Sequence, residues 1–264
     1  MPASDFINRH FHVIDESPDW IVVDKPPHLL IHPTAAPGPG NPFTLWDGLR
    51  QLLSYEIANG GQISIINRLD RETSGLVLIA KHSAAARLLA TAMAARDVEK
   101  TYLALVCGHP TWTHTTVDAP LLRQGSVQPS RIHLKQCIHP DGAPALTDFR
   151  VLQTYILSNA LPVSLLEARP RTGRTHQIRV HAAHLGHPLL GDKIYGPDES
   201  LYLQFIATGW TPALAESLVL PRHALHSASL RIPPLHLHWQ SPLAPDLADF
   251  LTEKSLILNL EISR

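Results

Sequence analysis

Residues Arg68-Leu69-Asp70-Arg71-Glu72-Thr73-Ser74-Gly75 set one carboxylate between two guanidinium groups, where one apolar run turns into another. In extended backbone, side chains two residues apart point the same way, so Arg68 and Asp70 face one space. A charged cluster between buried strands is costly unless its members pair with each other or with a ligand. Two readings follow from the spacing: a surface ion pair at a hairpin, or a charged site that a ligand completes. In the second, the chemistry on offer is that of an ionised carboxylate, as nucleophile or general base.

The flanks must hold that cluster. Ile63-Ser64-Ile65-Ile66 before it and Leu76-Val77-Leu78-Ile79-Ala80 after it are short and apolar, bounded by Gly60-Gly61 and Gly75. Both read as buried strands. Residues 20–23 (Trp-Ile-Val-Val) suit a strand that stops at Pro26-Pro27, and 34–42 is Pro- and Gly-rich, the composition of an exposed loop. Leu45 to Ile57 carries Leu45, Leu49, Leu52 and Leu53 at helical spacing. Ser83 is the expected N-cap of a helix through Arg96, with Ala85, Leu88, Leu89, Ala92 and Met93 inward. A strand follows with Tyr102, Ala104 and Val106 on one face, then a polar, turn-rich stretch from Gly125 to Pro144. Val163 to Arg169 reads as another strand, and Thr175 as the cap of a helix ending at Gly186, with Ile178, Ala182 and Leu185 inward. Strands, short helices and long connections without regular βαβ alternation predict an α+β fold with a mixed, mostly antiparallel sheet.

Composition narrows the class. The chain has 264 residues, enough for one large domain or two intimate lobes. It has no apolar stretch of spanning length and no basic, apolar secretory start. Its two cysteines, Cys107 and Cys137, form no Cys-x-x-Cys pair. A cytoplasmic protein is expected. The formal charge of −1 is low for a nucleic-acid binder. The distribution is uneven, however. Arg169, Arg171, Arg174, Arg179 and Lys193 crowd a segment opposed only by Asp192, while Asp246, Asp249, Glu253 and Glu261 lie in the tail.

Four segments in order carry a resemblance. Asn67-Arg68-Leu69-Asp70-Arg71-Glu72-Thr73-Ser74-Gly75-Leu76 resembles the central motif of RNA pseudouridine synthases of the RluA type. Asp24-Lys25-Pro26-Pro27 with His32-Pro33 resembles that family's first motif, and Lys100-Thr101-Tyr102-Leu103-Ala104 its Lys-x-Tyr-x-Ala strand. Arg174-Thr175-His176-Gln177-Ile178-Arg179-Val180-His181, followed by Gly191-Asp192 and Tyr195-Gly196, resembles its last major motif; His223-Ala224-Leu225-His226 is a weaker echo. The match runs from about Trp20 to about Leu237. Asn67 departs from the His common at that position; an amide hydrogen-bonds but does not titrate.

The resemblance implies a bent central sheet in two half-domains with the catalytic cleft between them, forming one catalytic domain over 1–264. The first motif begins near Trp20, so no separate accessory RNA-binding domain is expected and the catalytic part must supply the RNA surface. It implies isomerisation of uridine in structured rRNA or tRNA, with Asp70 as the essential carboxylate, Arg179 paired to it and Tyr102 stacking on the flipped base. Arg68 takes the place the base vacates. RNA contacts are expected from Arg68, Arg71, Arg171, Arg174, His176 and Gln177, and an apolar base-pocket wall from Ile178 or Val180. The reaction is redox-neutral, so neither cofactor nor metal is implied, and a monomer without an obligate protein partner is expected.

Three other readings compete. Histidines 181, 184 and 187 fall at helix-like spacing, yet no His-Glu-x-x-His string accompanies them to suggest a metal hydrolase. Glu72 offers Asp70 a partner for glycoside hydrolysis, which needs two carboxylates at defined separation. A catalytically silent RNA-binding protein of the same fold would retain the motifs' grip on RNA without turnover.

Overall fold

The computed structural model describes residues 10–33 and 43–257. The Pro/Gly-rich stretch 34–42 lies outside them. The chain divides into two compact units that exchange segments. Among the described residues, 10–100 and 226–244 build one, which carries Asp70; 101–225 and 245–257 build the other, which carries Arg179.

The Asp70 unit opens with β1 (His12–Glu16) and β2 (Trp20–Lys25), then α1 (Leu45–Leu52), α2 (Ser54–Ala58), β3 (Ser64–Ile65), β4 (Ser74–Ala80) and α3 (Ser83–Ala94). Strand β4 is buried along its whole length. It pairs antiparallel with β2, from Trp20 opposite Ala80 to Lys25 opposite Gly75, and with β3 at its far end. Ala85, Leu89 and Ala92 of α3 pack on Val22, Leu76, Leu78 and Ala80. That i, i+4, i+7 stripe is the inward face the spacing predicted, but Leu88 at its flank is exposed. The cap falls one residue earlier than Ser83: extended His82 accepts from the Ala85 N–H through Nδ1 at 3.2 Å. The helix expected over 45–57 breaks at Leu53, which takes the buried place and leaves Leu52 exposed. Thr44 and Asp47 close a capping box at its start.

The Arg179 unit contains β5 (Glu99–Cys107), β6 (His114–Asp118), β7 (Leu121–Arg123), β8 (Gln136–Ile138), β9 (Leu146–Leu157), β10 (Pro162–Pro170), α4 (Gln177–His184), α5 (Ser200–Thr208) and α6 (Pro212–Leu218). Strand β10 lies antiparallel between β5 and β9, and β6 pairs with β9. The stretch 125–144 is less irregular than its composition suggests, because β7 and β8 pair across it as a hairpin.

The chain then returns to the Asp70 unit with β11 (Leu225–Ile232) and β12 (Leu237–Gln240), which pair antiparallel. His226 and Ser227 of β11 run parallel to Ser74 and Gly75 of β4. Helix α7 (Pro245–Lys254) and β13 (Ser255–Ile257) finish the described chain, with β13 antiparallel to β9. The architecture is α+β with mostly antiparallel pairing, mixed by the β4–β11 contact. No helix of the described residues is long and apolar enough to cross a membrane.

Candidate active site

Asp70 opens a turn: the Thr73 N–H donates to its carbonyl at 3.1 Å. Asp is favoured at that first position. Asn67 and Leu69 point inward, Arg68 is exposed and Asp70 half-buried, so the alternation read from the sequence holds across the motif. The segment is fastened from two sides. Asn67 is buried and its amide bridges β4, donating to the Leu76 carbonyl at 3.1 Å and accepting from the Leu78 N–H at 2.8 Å. It acts as one rung of a strand, a task that an amide's paired donor and acceptor suit.

On the other side, Lys25 is fully buried and donates to the carbonyls of Pro26, Leu29 and Arg71 at 2.8, 3.0 and 3.2 Å. The first sequence motif is thereby tied to the turn that carries Asp70. Arg71 Nε–H donates to the His28 carbonyl at 3.3 Å, adding a second tie. His32 belongs to the same neighbourhood: partial burial and the Arg68 charge both push its imidazole below the usual range. Gly75 is required where it stands. Its φ is +110°, and a Cβ there would lie 2.3 Å from the Ser227 carbonyl oxygen on β11.

Arg179 sits on α4, which is buried from Gln177 to Ala182. The helix starts one residue later than a Thr175 cap would place it. His176 is the N-cap, in the left-handed region at φ 57°, and makes no side-chain cap bond. Gln177 takes over that work. Its Oε1 accepts from Thr172 Oγ1 at 2.7 Å and Arg174 N–H at 3.0 Å; its Nε2 donates to the Leu146 carbonyl and Thr147 Oγ1, both at 2.9 Å. Buried, with two acceptor and two donor bonds made, Gln177 supports the helix start.

The side chain of Arg179 is 5 % exposed and meets the wholly buried Asp192 in a two-pronged ion pair, Nε to Oδ2 at 2.7 Å and Nη2 to Oδ1 at 2.8 Å. Burial alone would raise the Asp192 carboxyl, but the guanidinium overrides it and holds the group far below the ordinary carboxylate range. Oδ1 also accepts from the N–H groups of Ile194 and Tyr195 at 2.9 and 3.0 Å. The Tyr195 ring lies 5.0 Å from the guanidinium carbon. Its hydroxyl accepts from the Gln136 N–H on β8 and bonds His176 Nδ1, each at 2.8 Å. The resemblance included Asp192 and Tyr195 without giving them work; the available signal was a lone acid inside a basic segment.

The remaining candidates separate by burial. Tyr102 is 8 % exposed on β5, opposite Ala168 of β10. Val180 packs with Leu121 and Ala145 in a core cluster beneath the β7–β8 hairpin, and Ile178 is equally buried. Arg171 and Arg174 are exposed, but the basic segment is opposed by more than Asp192. Asp148 pairs with Arg171 at 2.8 Å, and Glu167 pairs with both Arg169 and Arg150. The Asp148–Arg171 and Glu167–Arg150 pairs join residues 23 and 17 positions apart, a proximity hidden in the linear order. Lys193 is buried and donates to the Pro221 carbonyl.

The helix-spaced histidines diverge. His187 bonds the Cys107 carbonyl, and His181 is wholly buried between Thr147 and the Ala119 carbonyl. Because a carbonyl only accepts, His181 Nε2 carries the proton and Nδ1 receives the Thr147 hydroxyl. Burial lowers the His181 pKa from 6.5. Its folded value therefore lies below its unfolded value, so as pH falls through 6.5 the unfolded chain takes up the proton first and the fold loses stability. The loss approaches about 1.4 kcal/mol per pH unit until the folded form also protonates. Urea melts at pH 7 and pH 5 should show a stability difference between wild type and His181→Gln that shifts in the mutant's favour at low pH. A pH-independent difference would mean that the His181 pKa is the same in the folded and unfolded chain.

Comparison with known proteins adds independent findings. A family model described as RNA pseudouridylate synthase matches residues 19–184. An uncharacterized RNA pseudouridine synthase of Chloroflexus aurantiacus is 41% identical over 86% of this chain, and ribosomal large subunit pseudouridine synthase D of Salmonella typhimurium 34% identical over 90%. The chain spans 63% and 69% of those two relatives' lengths. Among solved structures, human RNA pseudouridylate synthase domain containing 1 superposes with a TM-score of 0.70 at 28% identity, covering 96% of this chain and 92% of that one.

Proposed function

The chain belongs to the RNA pseudouridylate synthase family, and from that premise we propose that it isomerises uridine to pseudouridine in structured RNA, with Asp70 as its reacting carboxylate. The observation that carries this reading is the mount of Asp70: a half-buried carboxylate on a turn fastened by Asn67 on one side and Lys25 on the other. A reacting group needs such support, because small errors in placement are expensive.

In the proposed reaction the bond from ribose C1′ to uracil N1 breaks, the base rotates, and C1′ joins C5. The C5 proton leaves as N1 gains one, so no electrons are exchanged. Asp70 acts at the sugar as nucleophile or base, and Arg179 orients it with a planar two-pronged donor. The target base must leave its stack, which costs a few kcal/mol. Exposed Arg68 fills the gap, Tyr102 stacks on the extruded uracil and Ile178 or Val180 walls the pocket. Such stacking contributes roughly 1–3 kcal/mol per base. Relatives named for the ribosomal large subunit make its RNA the first substrate to try.

The test is to incubate purified protein with transcribed large-subunit rRNA and with tRNA, then map pseudouridine by chemical labelling. A mapped site that disappears from cells lacking the gene identifies the target. Tight RNA binding without isomerised product on any RNA would favour the catalytically silent RNA-binding reading instead.

Phosphate grip should separate from chemistry. Arg171 and Arg174 precede the α4 start, where amides and the helix dipole favour anions. Replacing both with Ala should weaken RNA binding and lower its salt slope by about 0.7 to 0.9 for each phosphate no longer neutralised. Arg174→Ala alone should account for more of the change, since Arg171 is already partnered by Asp148. The single-turnover rate at saturating RNA should stay near wild type. An unchanged slope, or a collapsed saturated rate, would remove these residues from the phosphate-binding surface.

A further inference from the structure

We infer that Asp192, seconded by Tyr195, is a positioning residue that aims the Arg179 guanidinium, an assignment that rests on Arg179 serving Asp70 as proposed above. A guanidinium is a rigid plane with five donors, so fixing one edge fixes the direction of the whole fork. Asp192 takes the Nε and Nη2 positions along one edge, and the Tyr195 ring covers the group from 5.0 Å. Rotation about the last side-chain bond would break both ion-pair bonds together.

The cradle is itself rigid. Asp192 is held by the backbone N–H groups of Ile194 and Tyr195, and Tyr195 by the Gln136 N–H and His176 at its hydroxyl end. Gly191, at φ +74°, precedes the acid where a Cβ would stand 2.0 Å from the Arg222 carbonyl oxygen, so the backbone can approach this closely only without a side chain. Position on the helix points the same way. Arg179 lies in the first turn of α4, where the dipole disfavours a cation. Helical preference therefore does not bring a buried guanidinium to this spot. A counter-charge built from the following loop does.

The experiment is a double-mutant cycle on the single-turnover rate at saturating RNA, with RNA affinity measured in parallel. Asp192→Asn keeps the shape but removes the charge and one acceptor. It should slow the rate by about 10²-fold, the scale of a misplaced reacting group, with RNA affinity changed by less than about threefold. In an Arg179→Lys background the same substitution should cost almost nothing, because its effect passes through the guanidinium. Equal losses in the two backgrounds, or no loss in wild type, would overturn the inference. Should Asp192→Asn not fold, Tyr195→Leu gives the same readout: a smaller rate loss that vanishes in the Arg179→Lys background supports the inference, and an undiminished or absent loss refutes it. If Arg179→Lys itself leaves the rate untouched, the underlying reading of Arg179 fails and the inference falls with it; the cycle reports the two failures separately.

Discussion

Asp70→Asn is expected to abolish pseudouridine formation while leaving the fold and RNA binding in place. The amide matches the carboxylate in size, and the ties described above use the Asp70 backbone carbonyl, Asn67 and Lys25, none of which changes. What disappears is the charge proposed to attack or deprotonate the sugar. RNA binding should hold or tighten slightly, because one negative charge leaves a surface that meets phosphate. Circular dichroism, a binding isotherm and a single-turnover assay on one preparation check all three statements. Residual turnover within about tenfold of wild type would take Asp70 out of the role assigned to it.

The second large effect is at Arg179. Arg179→Lys retains the cation and enough reach to meet Asp192, but a point charge cannot hold a carboxylate on two parallel bonds. The saturated rate should fall by about 10²-fold. Affinity for RNA should change little, since the side chain is 5 % exposed and contributes little surface to a phosphate backbone. Removing the charge altogether, as in Arg179→Met, should instead compromise folding, because it strands a buried Asp192 at a cost of roughly 3–5 kcal/mol. A Lys variant with a wild-type saturated rate would show that two-pronged geometry is not needed.

Much of this was readable from the chain because its motifs are local. The Asp70 turn, the alternation that turns Arg68 and Asp70 the same way, the Tyr102 strand and the extent of β10 all follow from residue types within a few positions of one another. What escaped depends on segments far apart in the chain. Asp192 lies thirteen positions beyond Arg179, Lys25 reaches Arg71 across 46 positions, and Asp148 pairs with Arg171 across 23. Helix caps slipped by one residue where histidines, His82 and His176, took positions that Ser83 and Thr175 suited better on preference alone. Gln177 and Val180 read as surface and pocket residues because their motif is functional. Four hydrogen bonds and a core cluster give them structural work.

The exchange of segments between the units sets a schedule for synthesis on the ribosome. Strand β4 is buried throughout, yet its neighbour β11 is encoded some 150 residues later. While the nascent chain grows through the intervening unit, the Ser74–Gly75 end of β4 lacks β11 and waits as an unpaired edge. Such edges recruit other chains. A nascent chain halted near residue 220 should therefore bind a holding chaperone strongly and resist native-like protease protection over 74–80. Extending the arrested chain until residue 244 has left the exit tunnel should release the chaperone and establish that protection.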